Sequence, residues 1–198
     1  MAIQGSHRLK NLIDGLLQLH ALQTTQDNGD LEWCDIASLV TDCLKTYESA
    51  ALKKQITLRA CTESLKSATI PSYITRILDN LVSNAIKFSP PNTEITIKIG
   101  RHGESTWQLS VQDQGPGLNG DDFRKVFTMF GRLSASPTGG EESLGLGLYA
   151  VKILVEKLGG TTNVQNNADF GACFQCTFPE TAGQNNADAG SFKNVHSS

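Results

Sequence analysis

The 198-residue sequence has no excess of positive charge: 17 Lys and Arg stand against 20 Asp and Glu, a formal net charge of −3. That balance offers no electrostatic footprint for nucleic acid. There is no apolar run of membrane-spanning length either, although 39% of the residues are hydrophobic. The opening stretch MAIQGSHRLK lacks an apolar core, so a signal peptide is not expected. The five cysteines are odd in number and irregularly spaced, which argues against a disulfide scaffold and for free thiols in a reducing cytosol. Cys173-x-x-Cys176 is the one close pair; three residues apart on a strand they face opposite sides, so core thiols are expected rather than a metal or redox site. No Gly-Lys-Ser/Thr occurs, which excludes a Walker loop, and no strand-entered triple-glycine fingerprint for a dinucleotide is found. What remains is room for one domain of ordinary size plus an extra element.

The pattern that is present begins with Leu9, Leu12, Ile13, Leu16, Leu19 and Leu22, spaced as one stripe of an amphipathic helix from Arg8 to Thr25. Asp27-Asn28-Gly29-Asp30 breaks it. A second helix is expected over about Asp35 to Lys54, with Ile36, Leu39, Val40, Cys43, Leu44 and Tyr47 inward, followed by a strand from Gln55 to Cys61. The central helix runs from Pro71, suited to a first turn, to Ser89-Pro90-Pro91, which cannot continue it. Ile74, Ile77, Leu78, Leu81, Ala85 and Phe88 form its buried face. Strands at Glu94–Arg101 and Thr106–Gln112 make a hairpin with one buried face. A short helix starting at Asp121-Asp122 should turn Phe123, Val126, Phe127 and Phe130 inward, and residues 134–143 read as a mobile loop. Leu146 to Leu158 is helical and stops at Gly159-Gly160, with Leu148, Val151, Leu154 and Val155 inward. A last hairpin pairs Thr161–Gln165 with Phe170–Phe178, and the tail from Thr181 reads as disordered. Strands that come in hairpins predict an α+β class: a sheet with helices on one face and the first helix outside that layer.

Three stretches carry chemistry. On the central helix Asn80, Asn84 and Lys87 stand at i, i+4 and i+7, two amides and an ammonium along the edge of the buried face. Asp113-Gln114-Gly115-Pro116-Gly117 follows a strand directly; its glycines let backbone approach a flat ligand, and its carboxylate accepts from an exocyclic amino group of the kind adenine carries. Leu144-Gly145-Leu146-Gly147-Leu148 turns the loop into a helix and exposes backbone N–H groups where the helix dipole favours phosphate. Taken singly, each also reads blandly, as a polar helix edge, a surface Asp in a tight turn and a flexible hinge.

Their order is the stronger signal. Asn80-x-x-x-Asn84-x-x-Lys87, Asp113-x-Gly115-x-Gly117, Phe127-x-x-Phe130 and Gly145-x-Gly147 resemble the N, G1, F and G2 boxes of the sensor histidine kinases, in the ATPase superfamily of gyrase B, Hsp90 and MutL. The resemblance spans about Glu32 to Phe178 and includes the flanks NLVSNAIKFSP and GLGLYAVKILVEKLGG. It implies a two-layer α/β sandwich (the Bergerat ATP-binding fold) of left-handed βαβ type, with ATP between the helices under a lid from the F box to the G2 box. Asn84 would ligate Mg²⁺, Asn80 would support metal and phosphates, and Lys87 would neutralise phosphate charge. Asp113 would hold the adenine amino group in a pocket shaped by Gly115 and Gly117. Gly145 and Gly147, with Leu146 and Leu148 beside them, would meet the phosphates. Phe127 and Phe130 would anchor the front of the lid, and Arg132 is a weaker candidate for the γ-phosphate. Superfamily members that hydrolyse ATP carry a carboxylate where Asn80 stands; an amide takes no proton at neutral pH, so slow hydrolysis is expected.

The resemblance fails at the acceptor. No H-E/D-x-x-T/N-P-like stretch is present: His7 precedes Arg8, His20 sits late in the first helix, and His102 and His196 have no local support. Residues 8–25 instead resemble the second helix of a dimerisation hairpin. The expected organisation is therefore residues 1–27 as part of that hairpin, 28–180 as the ATP-binding catalytic domain and 181–198 as tail. The implied partners are ATP or ADP, a phosphoacceptor histidine domain, a response-regulator receiver domain and a second copy through residues 8–25, in a cytoplasmic setting. Alternatives are a non-catalytic nucleotide-gated interaction module and an anti-sigma-type serine kinase.

Overall fold

The computed structural model describes residues 31–138 and 145–180, together with Ile13, Leu16, Leu17 and His20. Those four are helical and exposed, in keeping with the expected first helix; the rest of that helix, Leu144 and the tail lie outside the described residues. In chain order the elements are β1 (Glu32–Asp35), α1 (Ile36–Lys53), β2 (Thr57–Thr62), β3 (Lys66–Thr69), α2 (Pro71–Phe88), β4 (Glu94–Arg101), β5 (Thr106–Gln112), α3 (Asp122–Lys125), α4 (Gly147–Lys157), β6 (Thr161–Asn166) and β7 (Ala172–Pro179). Five strands form one sheet in the order β2-β4-β5-β7-β6. β2 and β4 are parallel; the other pairs are antiparallel.

Period-two alternation decides which sheet face is dry. Ile95, Ile97 and Ile99 of β4, Trp107, Leu109 and Val111 of β5, and Phe174, Cys176 and Phe178 of β7 are all buried. α1 and α4 each pack on α2, and all three helices touch the sheet. α2 lies at the centre of this layer, burying Tyr73, Ile74, Ile77, Leu78, Leu81, Val82, Ala85 and Ile86. Trp107 stacks on Phe178 at 4.3 Å between ring centroids. The helix ends follow local chemistry: Asp35 caps α1 by accepting from Ala37 N at 3.0 Å, and Gly159, at φ +71°, turns the chain out of α4. Cys173 and Cys176 are both buried and unpaired; burial pushes the Cys176 thiol up to about 12, which keeps it a neutral core group.

The structure departs from the sequence reading in three places. β1 and β3 pair antiparallel as a separate two-stranded sheet; four-residue polar segments, EWCD and KSAT, carry too little alternation to reveal it. The short helix α3 covers one turn, so Val126 is buried but Phe123 and Phe130 are 40% and 46% exposed. The backbone at Phe130 then reverses with φ +58°, carrying its ring away from the core. Phe170, expected in the last strand, lies in the turn before β7 and is 77% exposed.

Candidate nucleotide-binding site

The polar edge of α2 meets the start of α4. Asn80 Nδ2 donates to the Arg76 carbonyl at 2.8 Å, which orients the amide. Its Oδ1 then lies so close to Gly147 that a Cβ there would sit 2.7 Å away, with Asn84 Nδ2 at 3.8 Å. Only glycine lets the first turn of α4 approach both amides this closely. The N-cap residue Leu146 makes no side-chain capping bond, so the first N–H groups of this 11-residue helix lack a side-chain acceptor at the end that favours anions.

At the end of β5, Asp113 is 5% exposed. Its Oδ1 accepts from the N–H groups of Gly115 at 2.8 Å and Ala172 at 3.1 Å. Burial pushes its carboxyl above the usual range, and the two N–H bonds offset this only in part. Gly117 has φ +72°, and a Cβ on Gly115 would come within 3.1 Å of the Phe88 carbonyl oxygen, so the loop passes tightly under the end of α2.

Three residues that sequence reasoning passed over hold this loop from behind. Asn166 Oδ1 accepts from Leu118 N–H and its Nδ2 donates to the Leu118 carbonyl, both at 2.8 Å. Asn167 Nδ2 donates to the Asp113 carbonyl at 2.9 Å and to Phe170 O at 3.0 Å. Gly171 has φ +88°, and a Cβ there would lie 2.0 Å from the Asp113 carbonyl oxygen. The Asn166-Asn167 pair reads in sequence only as turn chemistry, because its partner loop is distant along the chain.

The segment between α3 and α4 is tied at several points. Phe127 packs edge-on to Phe174, with centroids 6.4 Å apart at 88°. Asp122, 3% exposed, accepts from Ser134 N–H at 2.9 Å, Ser134 Oγ at 2.5 Å and Asn119 N–H at 3.1 Å. Burial alone would raise its carboxyl, but these bonds, with Lys125 nearby, bring it below the usual range. Asn119 Oδ1 returns the contact to the Asp121 and Asp122 amides, both at 3.0 Å, in a capping-box arrangement. Gly145, at φ +68°, packs so closely on Gly131 that a Cβ would meet its carbonyl oxygen at 2.7 Å, which brings the two ends of the segment together.

Asn84, Phe88, Asp113, Pro116, Gly117, Leu133, Ala135, Leu148 and Phe174 line one pocket between the sheet, α2 and this segment. Of the residues singled out in the sequence, Asn84, Asp113, Gly117 and Leu148 thus share a lining; Asn80 and Gly147 adjoin it, and Leu146 is buried at the helix start. Lys87 is half-buried, Arg132 is exposed, and neither lines the pocket. Among the described residues there is no group of three or more His, Cys, Asp or Glu side chains able to hold a metal. None of the helices among them is long and apolar enough to cross a membrane.

Residues 69–182 match the profile of the histidine kinase-, DNA gyrase B- and HSP90-like ATPases. The chain is 29% identical over 176 residues to the sensor-like histidine kinase SenX3 of Mycolicibacterium smegmatis, covering 88% of this chain and 46% of that protein. It is 32% identical over 174 residues to the sensor protein KdpD of Escherichia coli, covering 85% of this chain and 18% of that one. The chain therefore spans less than half the length of these curated relatives. Among solved structures, the mycobacterial sensor histidine kinase MprB superposes with a TM-score of 0.65 at 25% identity, over 76% of this chain and 97% of that one. The profile match, the α/β sandwich and the cleft between α2 and α4 lead to one assignment: the chain belongs to the histidine kinase-, DNA gyrase B- and HSP90-like ATPase family.

Proposed function

We propose that the chain binds ATP in this pocket and serves as the catalytic part of a sensor histidine kinase, passing the γ-phosphoryl group to a histidine on a neighbouring helical hairpin. The observation that carries the reading is the convergence of a buried carboxylate, two helix amides and an uncapped helix N-terminus on one cleft. Asp113 Oδ2, which neither backbone bond to that side chain uses, accepts from the adenine amino group. Gly115 and Gly117 let the loop backbone lie close to the base. The N–H groups at the start of α4, from Gly145 through Leu148, would face the phosphates; Lys87, with Arg132 as the weaker candidate, would bring cationic charge to them from outside the pocket lining. Phe127 anchors the lid on Phe174, and Phe130 marks where its backbone reverses.

Magnesium fits this donor set. Asn84 lines the pocket, and its amide oxygen is a hard donor of the kind that would ligate such a cation, with the other ligands supplied by phosphate oxygens and water. When bound, the ion would neutralise charge on the β- and γ-phosphates. The remaining work is positioning: the P–O bond to the β-phosphate breaks as a P–N bond forms to an imidazole nitrogen, Nε2 or Nδ1, and the imidazole releases its proton. Asn80 holds the place where a carboxylate could activate water, and its amide cannot accept that proton, so the site favours a supplied acceptor over hydrolysis.

We take residues 28–180 as the catalytic domain and 8–25 as the second hairpin helix, through which two copies would pair. A response-regulator receiver domain would be the later recipient of the phosphoryl group. The five unpaired thiols support a reducing, cytoplasmic setting. Incubation with γ-labelled ATP and Mg²⁺, with and without an acceptor hairpin, should give label on the hairpin histidine and little free phosphate. Tight nucleotide binding with no transfer to any hairpin would instead support a nucleotide-gated interaction module.

A further inference from the structure

At the end of α2 the last-turn carbonyls have no partners within the helix and point at the chain that follows. One side chain from another helix gathers them. Lys54, the C-cap residue of α1, donates from Nζ to the carbonyls of Ile86 at 2.7 Å and Lys87 at 3.1 Å. Its third bond, at 2.7 Å, goes to Thr138 Oγ1 in the lid segment. Thr138 in turn donates from its backbone N–H to the Lys87 carbonyl at 3.0 Å. Its hydroxyl proton is shared between the carbonyls of Lys87, at 2.9 Å, and Ser89, at 3.1 Å. An ammonium has three donors, and here all three are used. A cation at a helix C-terminus is also favoured by the dipole, and the Lys54–α2 contact is part-buried.

We infer that Lys54 and Thr138 form a latch that holds the lid over the base pocket, so that Lys54 is a positioning residue controlling how long nucleotide stays bound. Ala135, which lines the pocket, lies between two fixed points, Ser134 held by Asp122 and Thr138 held by Lys54, and Leu133, also in the lining, adjoins the first. A segment pinned at both ends presents those side chains to the base without an ordering cost at each binding event. Cutting the rear point frees the roof while leaving Asp113, Asn80 and Asn84 in place. The latch also joins α1, α2 and the lid at one atom, giving α1 a direct hold on the pocket. This inference rests on the nucleotide reading above.

The test uses the full 198-residue chain with Thr138→Val, Thr138→Ser and Lys54→Met. Displacement of a fluorescent ADP analogue by excess ADP gives the off-rate, and hydrogen exchange across residues 133–138 reports the latch itself. Thr138→Val leaves the bonds from Lys54 to α2 intact, so it separates lid anchoring from helix capping. Thr138→Val loses the bond from Lys54 and the hydroxyl's own shared bond, and Lys54→Met loses all three ammonium bonds. The Lys54–Thr138 bond lost in both should raise the off-rate at least about five- to tenfold in each, with faster exchange at 133–138. Thr138→Ser, which keeps the hydroxyl, should behave as wild type; a role in packing through the methyl would instead spare Val and perturb Ser, and that result would overturn the latch. Wild-type off-rate and exchange in Thr138→Val, with melting temperature preserved, overturns the latch. A wild-type chain that binds no nucleotide overturns the reading beneath it.

Discussion

Replacing Asp113 by Asn changes few atoms and separates folding from binding. The amide keeps an oxygen that can accept from Gly115 and Ala172, whose N–H groups lie 2.8 and 3.1 Å from Oδ1. It puts an NH₂ where the carboxylate would accept from adenine, so two donors face each other. Losing a charge-assisted bond and leaving a buried donor unmet cost about 2–4 kcal/mol, about 30- to 1000-fold in Kd for ATP. Stability should move the other way. Burial raises the folded carboxyl above 3.8, so its contribution to stability is full below 3.8 and falls as pH rises through the folded value. At neutral pH the ionised group is a net cost that the amide removes. Asp113→Asn should therefore melt at or above the wild-type temperature at pH 7. It should also lose preference for adenine over a 6-oxopurine, which offers its NH₂ an acceptor. Isothermal titration with ATP and with a 6-oxopurine triphosphate, alongside thermal melting, checks all three. Wild-type ATP affinity, or collapse of the fold, would refute the role given to this carboxylate.

Gly171→Ala should destabilise the protein by about 2–4 kcal/mol and weaken nucleotide binding, because its Cβ would lie 2.0 Å from the Asp113 carbonyl at φ +88°; urea melts of the variant test this, and a wild-type midpoint would contradict it. The two buried carboxylates should titrate on opposite sides of 3.8, Asp113 above it and Asp122 below it. For Asp122 the sign is reversed: its bonds to Ser134 stabilise the fold above 3.8 and are lost as pH falls through the depressed value. Carboxyl NMR titration of the two resonances reads this, and a shared midpoint would refute it.

Much of this protein was legible in its sequence because the signals are local. Helical spacing from Ile74 to Ala85 needs no distant partner to specify which face of α2 is buried, and Pro71 and Ser89-Pro90 mark its ends wherever it packs. Alternation in β4 and β5 likewise announces a dry face. Asn80, Asn84, Asp113 and Gly147 could be named as candidates because their types and order resemble the boxes of a known family. What only the tertiary structure decided is who meets whom across long separations. Asn166 and Asn167 read as turn formers until β6 and β7 carry them behind the Asp113 loop. Lys54 reads as the end of a surface helix until α2 delivers two orphan carbonyls and the lid delivers Thr138. β1 and β3 have too few residues to show alternation, so only their pairing reveals them. Short-range patterns are fixed by backbone geometry, which a sequence displays directly; hydrogen bonds between distant loops depend on the packed sheet and helices that bring their atoms within about 3 Å.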